Sequence, residues 1–198
     1  MNVTIVQYNA GNIQSVLYAL ERLDVAATVT DDPAMIQAAD KVIFPGVGEA
    51  STAMAYLKER NLDQIIIALK QPVLGICLGM QLMCKHSAEN DTKCLGIFEE
   101  QVLAFKTTQN TFKVPQIGWN NITNLKTPLF NGVPENSYTY FVHGFYAGLG
   151  DNTIATTDYI QPYSSALQKN NFYGVQFHPE KSAAVGEQII QNFLSLKS

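Results

Sequence analysis

Cys77, His178 and Glu180 are the residues of this chain whose types and spacing could carry covalent chemistry. Cys77 sits in Gly75-Ile76-Cys77-Leu78-Gly79-Met80. Pro72-Val73-Leu74-Gly75-Ile76 reads as a short buried strand, and Gly79-Met80-Gln81-Leu82-Met83 opens helical apolar spacing, so the cysteine falls on a strand-to-helix turn. Glycines two residues before and after it let neighbouring backbone pass close without a Cβ clash, and a nucleophile on such an elbow stands clear of the sheet. The free N–H groups and positive dipole end of the following helix favour a thiolate over a thiol. The Leu78 N–H is positioned to face an oxyanion on an attacked carbonyl. A lone cysteine is more often a buried core residue; the flanking glycines and a histidine elsewhere in the chain argue for a nucleophile.

The base must come from three histidines, His86, His143 and His178. His178 ends the strand-like run Phe172 to Phe177, and Pro179 stops the ladder and holds the backbone extended. Side chains two apart in an extended chain share a face, so Glu180 is expected beside the imidazole, holding its tautomer. Alone, His-Pro-Glu reads equally well as a surface turn; the elbow supplies its partner. His143, in the β-prone run Tyr140-Phe141-Val142-His143-Gly144-Phe145-Tyr146, reads more readily as a satisfied polar side chain than as a catalyst, with site contact as the alternative. His86 is expected near the end of the helix after the elbow, as a solvated cap residue.

These residues need a scaffold. At 198 residues, with 46 % hydrophobic and 15 % charged residues, the chain suits one α/β domain with a substantial core. A net charge of −4 offers no basic field for nucleic acid. Cys77, Cys84 and Cys94 are odd in number and lack paired metal spacing, so a disulfide scaffold and a zinc site are both poor readings and a reducing compartment fits. The N-terminus enters a strand without a charged leader, and no apolar run approaches the roughly 18 residues of a membrane span, so a cytoplasmic protein is expected.

Strands and helices alternate through the first half: Val3 to Tyr8 a strand, Ile13 to Leu23 an amphipathic helix, Ala27 to Thr30 and Lys41 to Phe44 strands, then helical segments from about Ser51 to Leu69 before the elbow strand. This is βαβ arithmetic, hence a largely parallel sheet. From Gly96 to Phe177 successive β-prone runs with turn signals at Thr107-Thr108-Gln109-Asn110, Asn131-Gly132 and Gly148-Leu149-Gly150-Asp151 predict antiparallel strands added to it. A last helix is expected over Ala183 to Leu196. Asn9-Ala10-Gly11-Asn12 lacks the three-glycine dinucleotide fingerprint and reads as a turn or contact loop. Pro45-Gly46-Val47-Gly48 leaves the third strand from the same carboxyl edge as the elbow, where it could present an N–H to the reacting carbonyl.

Tyr8-Asn9-Ala10-Gly11-Asn12-Ile13-Gln14-Ser15-Val16, Pro45-Gly46-Val47-Gly48, the elbow through Gln81, Gly118-Trp119-Asn120, Tyr140-Phe141-Val142-His143 and Gly174 through Ser182 together resemble the class I glutamine amidotransferases. The match runs in order over essentially the whole chain. The elbow with His-Pro-Glu is specific to the class; the Pro-Gly-Val-Gly, Gly-Trp-Asn and Phe-Val-His segments are specific to its members in histidine biosynthesis.

The resemblance implies a flavodoxin-like α/β fold in one amidotransferase domain over residues 1–198, with a largely parallel central sheet, helices on both faces and added antiparallel strands. It implies a Cys77–His178–Glu180 triad that hydrolyses L-glutamine through a γ-glutamyl thioester, with oxyanion donors at Val47 and Leu78. Gly48, Gln81 and Glu89 would hold substrate, and backbone of Val142, His143 and Gly144 would line the pocket. Ammonia would pass to a HisF-like (β/α)8 cyclase subunit in a heterodimer, giving imidazole glycerol phosphate and an aminoimidazole carboxamide ribotide, with Asn12, Trp119 and Lys181 at the interface; a buried anchor is the alternative for Trp119. No cofactor and no metal are implied. The Pro-Gly-Val-Gly peptide would have to turn over before its N–H faced the oxyanion.

The chain departs from the family at two places. Pro115-Gln116-Ile117 stands where Pro-His-Met is usual, near the expected interface, and Gly144 replaces a serine or threonine. A paralogue feeding a different synthase, such as one amidating a nucleotide sugar, is the second reading. A cysteine hydrolase or a silent binding protein on the same fold is the third, disfavoured by Gln81, Glu89 and the Pro-Gly-Val-Gly loop, since a peptidase needs no pocket for a free amino acid.

Overall fold

The computed structural model describes residues 1–9, 12–107 and 112–197. Ala10-Gly11 and Thr108-Gln109-Asn110 of the turn signals lie outside the described residues. In the first half β1 (Val3–Val6), β2 (Ala27–Thr30), β3 (Lys41–Phe44) and β4 (Val73–Ile76) pair in parallel in the order β2-β1-β3-β4. Every residue of β1, β3 and β4 is buried. Crossover helices cover both faces of a parallel sheet, so its strands read as apolar runs rather than alternations.

Helix α1 (Ile13–Glu21) buries Val16, Ala19 and Leu20, the i, i+3, i+4 stripe. A short helix α2 (Pro33–Gln37), absent from the sequence reading, begins where the Asp32 carboxylate accepts from the Ala34 and Met35 N–H groups and Pro33 opens the first turn. The helical stretch expected to Leu69 is two helices, α3 (Ala50–Glu59) and α4 (Leu62–Ala68), parted at Asn61 with φ 55°. The elbow helix α5 (Leu78–Met83) is followed by β5 (His86–Ser87) and β6 (Thr92–Lys93), which pair antiparallel.

His86 is therefore a strand residue rather than a helix cap. The carbonyls of Leu82, Met83 and Cys84 that would continue α5 instead accept from the N–H groups of Leu95, Ile97 and Gly96, and the His86 Nε2 meets Asp91 Oδ1 at 2.9 Å.

The second half contributes β7 (Gln101–Ala104), β8 (Gln116–Ile122), β9 (Ser137–His143), β10 (Phe145–Ala147), β11 (Thr153–Tyr159), β12 (Gln161–Lys169), β13 (Phe172–Val175) and α6 (Ala183–Ser195). β12 pairs antiparallel with β10, β11 and β13, extending the central sheet as expected. β8 and β9 depart from that expectation by forming a two-stranded ribbon of their own. The ribbon's inner residues Gln116, Ile122, Thr139, Phe141 and His143 are buried, so its amphipathic alternation is met by packing face-on against the core rather than by edge pairing.

β13 runs parallel beside β4, with Gly174 opposite Gly75 and Val175 opposite Ile76. This one pairing, between segments about a hundred residues apart, sets Cys77 and His178 at the same sheet edge. One apolar cluster, with Phe44, Leu57, Met80 and Phe98, lies apart from a second with Ile5, Leu20, Phe141, Phe177 and Phe193, to which α6 contributes Ile189 and Ile190.

Candidate active site

Cys77 links β4 to α5 with φ 53° and ψ −110°, a conformation that costs an L residue about 1–3 kcal/mol. The surroundings hold it there. Its N–H donates to the Val175 carbonyl at 2.8 Å and its own carbonyl accepts from the Gln81 N–H at 3.2 Å. The glycines at either side are required by contact: a Cβ on Gly79 would strike the Phe44 carbonyl, and one on Gly75 would come within 2.9 Å of the Gly79 and Met80 backbone.

His178 is tied to the ribbon. Its N–H donates to the Tyr140 carbonyl at 2.9 Å, and its carbonyl accepts from the Ser182 hydroxyl at 2.6 Å, which in turn accepts from the Tyr140 N–H at 2.9 Å. The imidazole Nδ1 lies 2.8 Å from Glu180 Oε1, both side chains being almost wholly enclosed. The backbone differs from the expected extended triplet: Pro179–Lys181 is a 3-10 turn, and the glutamate reaches the ring by curling back under it. Burial by itself would lower the His178 pKa; hydrogen bonds and charge interaction with Cys77 and Glu180 outweigh it and raise the group to about 10. The contacts thus favour the protonated form of the ring.

Two further contacts escape the sequence reading. Asn12 Nδ2 donates to Glu180 Oε1 at 3.0 Å, and Asn12 Oδ1 accepts from the Ser15 hydroxyl at 2.6 Å. A residue expected at a partner interface therefore also steadies the carboxylate. Gln176 is fully buried; its amide lies 3.7 Å from Cys77 Sγ as donor, and its carbonyl oxygen accepts from Gln81 Nε2 at 2.9 Å. The visible signal was a lone amide inside the apolar run ahead of His178.

Cys77 and His178 open on a cleft of about 320 Å³, bordered by Val47, Gly48, Leu78, Gln81, Glu89 and the main chain around Val142 to Gly144. Pro115, Phe145 and Lys181 complete the wall. Gln81 spends both amide hydrogens on Phe145 and Gln176 carbonyl oxygens, at 2.9 Å each, which points its own carbonyl oxygen elsewhere as an acceptor. Glu89 accepts from the Ala50 N–H at 2.8 Å; burial first, and then Glu49, raise its pKa against that bond. A carboxylate and an amide oxygen suit an ammonium group.

At the oxyanion position Leu78 N–H donates to the Gly46 carbonyl at 3.3 Å. In a planar trans peptide the C=O and N–H point in opposite directions, so the Val47 N–H faces away from Leu78. The two expected donors do not converge in this arrangement.

His143 turns its ring into the core. Nδ1 meets the Phe145 carbonyl at 2.7 Å and Nε2 the Tyr163 hydroxyl at 3.3 Å, so residue 143 offers the cleft main chain rather than imidazole. Burial foremost, with His178 adding to it against the Phe145 bond, lowers its pKa to about 4. A buried neutral histidine resists protonation, so its contribution is intact above pH 6.5 and lost as pH falls towards about 4, where the unfolded chain binds the extra proton. Stability measured by urea titration should drop by roughly 3 kcal/mol across that window from this group, and His143→Gln should flatten the slope; an unchanged slope would show that the ring protonates without penalty.

The family departures separate by strand alternation. Gln116 is buried, with Oε1 accepting from the Tyr163 hydroxyl at 3.0 Å, so this departure, expected near the interface, has its side chain in the interior; Ile117 faces out. At Gly144 a Cβ would make only ordinary contact with Pro115 and Val114, so nothing there demands glycine. Trp119 is 53 % exposed and crosses Tyr140 edge-on at 5.9 Å, which excludes the buried-anchor alternative. Among the described residues no group of His, Cys, Asp and Glu is arranged to hold a metal, and no helix is long and apolar enough to cross a membrane.

A strained cysteine elbow at the carboxyl edge of a parallel sheet, met there by a buried His–Glu pair, has the parts that thiol-based acyl chemistry needs. The family model for class-I glutamine amidotransferases matches residues 4–196, and the chain belongs to that family. A protein of Bacteroides fragilis named imidazole glycerol phosphate synthase subunit HisH is 56 % identical over 196 residues, covering 99 % of this chain and all of its own length. The protein of the same name from Bacteroides thetaiotaomicron is 55 % identical with the same coverage. A solved glutamine amidotransferase matches with a TM-score of 0.74 at 16 % identity over 96 % of both chains, which places the flavodoxin-like fold.

Proposed function

We propose that this chain, as one amidotransferase domain, hydrolyses L-glutamine through Cys77, His178 and Glu180 and delivers the ammonia to a HisF-like (β/α)8 cyclase in the cytoplasm, for synthesis of imidazole glycerol phosphate. The observation that carries the reading is the meeting of Cys77 with the His178–Glu180 pair in a cleft whose other polar groups fit a free amino acid. The thiolate attacks the side-chain amide carbon, forming a C–S bond and an oxyanion. The His178 imidazolium gives its proton to the amide nitrogen, the C–N bond breaks and ammonia leaves. The neutral imidazole then takes a proton from water, whose oxygen attacks the thioester; the C–S bond breaks to yield glutamate and the thiolate. Glu180 stabilises the imidazolium and fixes its tautomer.

The outer face of the β8–β9 ribbon supports the partner. Ile117, Trp119, Tyr138 and Tyr140 lie on it, and the register carries it to Val142 at the rim of the cleft, with Lys181 in the wall. Contiguous exposed aromatic and aliphatic groups beside a site mark a docking surface. Trp119→Ala should weaken binding of the cyclase by on the order of 2 kcal/mol, about thirtyfold in Kd, and Lys181→Ala should uncouple glutaminase stimulation. Titration calorimetry with unchanged affinity and intact coupling would remove both from the interface.

The reading is tested by assembling the chain with its cyclase and following imidazole glycerol phosphate from either glutamine or ammonium salt. Product from both sources is expected. Product from ammonium alone would overturn the delivery of ammonia by this chain.

A further inference from the structure

We propose that Tyr8 is a positioning residue that latches Pro45-Gly46-Val47-Gly48 in the arrangement seen here, with the Gly46 carbonyl on the Leu78 N–H; the proposal rests on the reading of the chain as a partner-gated glutaminase.

Tyr8 follows β1, is buried, and tilts its ring against Phe44 at 5.2 Å. Its hydroxyl has one proton and donates it to the Pro45 carbonyl at 2.6 Å. The same oxygen lies against Gly46 so closely that a Cβ on that residue would strike it, and that Cβ would also come within 2.8 Å of the Gly79 nitrogen and of Leu78 Cβ. Burial, and then the neighbouring Cys77, push the phenol's ionisation up, so it remains a donor throughout the working pH range.

The upstream half of the segment is thus gripped and the downstream half is not. Gly48 has φ +118° with nothing within 4 Å of the place a Cβ would take, and Val47 is 37 % exposed. The joint between the two halves is the Gly46–Val47 peptide, whose carbonyl occupies the Leu78 donor. Turning that peptide over requires rotation at Gly46, the residue the phenol presses on. A bond formed one peptide upstream of the joint, in the arrangement where the donor is covered, stabilises that arrangement. Asn12, four positions on in sequence, holds Glu180 through its amide, so Tyr8 touches the oxyanion segment and its near neighbour in sequence touches the Glu180 carboxylate.

Tyr8→Phe removes the hydroxyl and keeps the ring. Glutamate release is to be measured for the subunit alone and in complex with its cyclase carrying imidazole glycerol phosphate, together with amide exchange at Leu78. The variant alone should run on the order of fivefold faster than wild type, the worth of one net hydrogen bond, while the complex changes by less than about twofold. The stimulation ratio then falls by the same factor, with the glutamine KM unchanged, and the Leu78 amide exchanges correspondingly faster. A folded variant with the wild-type ratio and wild-type Leu78 exchange overturns the latch, as does a parallel fall in both rates, which marks Tyr8 as packing alone. If the variant is poorly folded, Leu78 exchange compared with that of core amides in β4 decides the same question: selective loss of protection supports the latch, and uniform loss refutes it. A wild type that the cyclase fails to stimulate would sink the gated reading and the latch with it, whereas a stimulated wild type beside an unchanged variant ratio sinks only the latch.

Discussion

Cys77→Ser is expected to reduce glutamine hydrolysis by on the order of 10⁴-fold or more, to background, with the fold intact. The substitution is nearly isosteric, and serine at the elbow inherits φ 53° and the same backbone bonds to Val175 and Gln81. What it loses is the thiolate: the imidazolium of His178 can stabilise a sulfur anion, whereas a hydroxyl is far harder to ionise. His178→Ala should fall to a similar level by removing the proton carrier. Glu180→Gln should lose much less. Glu180 Oε2 has no hydrogen-bond partner among the described residues, so the glutamine amide nitrogen can take that place while Oε1 keeps its bonds to His178 and Asn12. Steady-state glutamate release in the presence of the cyclase, with thermal unfolding as the fold control, checks all three. A Cys77→Ser enzyme near the wild-type rate would remove the cysteine from the chemistry.

The second large effect is gating. The subunit alone should turn glutamine over about 10²–10³ times more slowly than its complex with ligand-bound cyclase, the rate contribution of one oxyanion donor. In the arrangement described, the Gly46 carbonyl lies on the Leu78 N–H and the Val47 N–H points away, so an oxyanion formed at Cys77 would find neither donor free. Turning one peptide over frees Leu78 and brings Val47 round. A partner can favour that state only by contacting it differently from the resting one. Val47, exposed at the cleft rim shared with the ribbon, is where such contact can be made. Equal glutamate release from the subunit, the complex and the ligand-bound complex would contradict the gate and leave the triad untouched.

The grouping of Cys77 with His178 and Glu180 was legible because residue types and local spacing carried it: glycines two either side of a cysteine, and a His-Pro-Glu closing a strand. The parallel first half was legible for the same reason, since continuous apolar tetrapeptides alternate with helical stripes. What was not legible depends on distance in sequence. The β13–β4 pairing and the Asn12–Glu180 bond, which spans 168 positions, join segments whose local patterns say nothing of each other. Which side of β8 faced inward decided that Gln116 is core and Trp119 surface, and alternation fixes only that the two differ. His86 was misplaced because carbonyls of α5 are taken over by the residues after Cys94, a non-local competition. The orientation of the Gly46–Val47 peptide is invisible in principle, because both orientations use the same residues on nearly the same path.

The central claim is that Cys77 forms a bond to the glutamine side-chain carbonyl carbon. Quenching the cyclase-bound enzyme during turnover and mapping the chain by mass spectrometry should find a γ-glutamyl thioester on Cys77, lost on incubation without substrate and absent in His178→Ala. Turnover without any adduct at Cys77, or an adduct confined to Cys84 or Cys94, would contradict it.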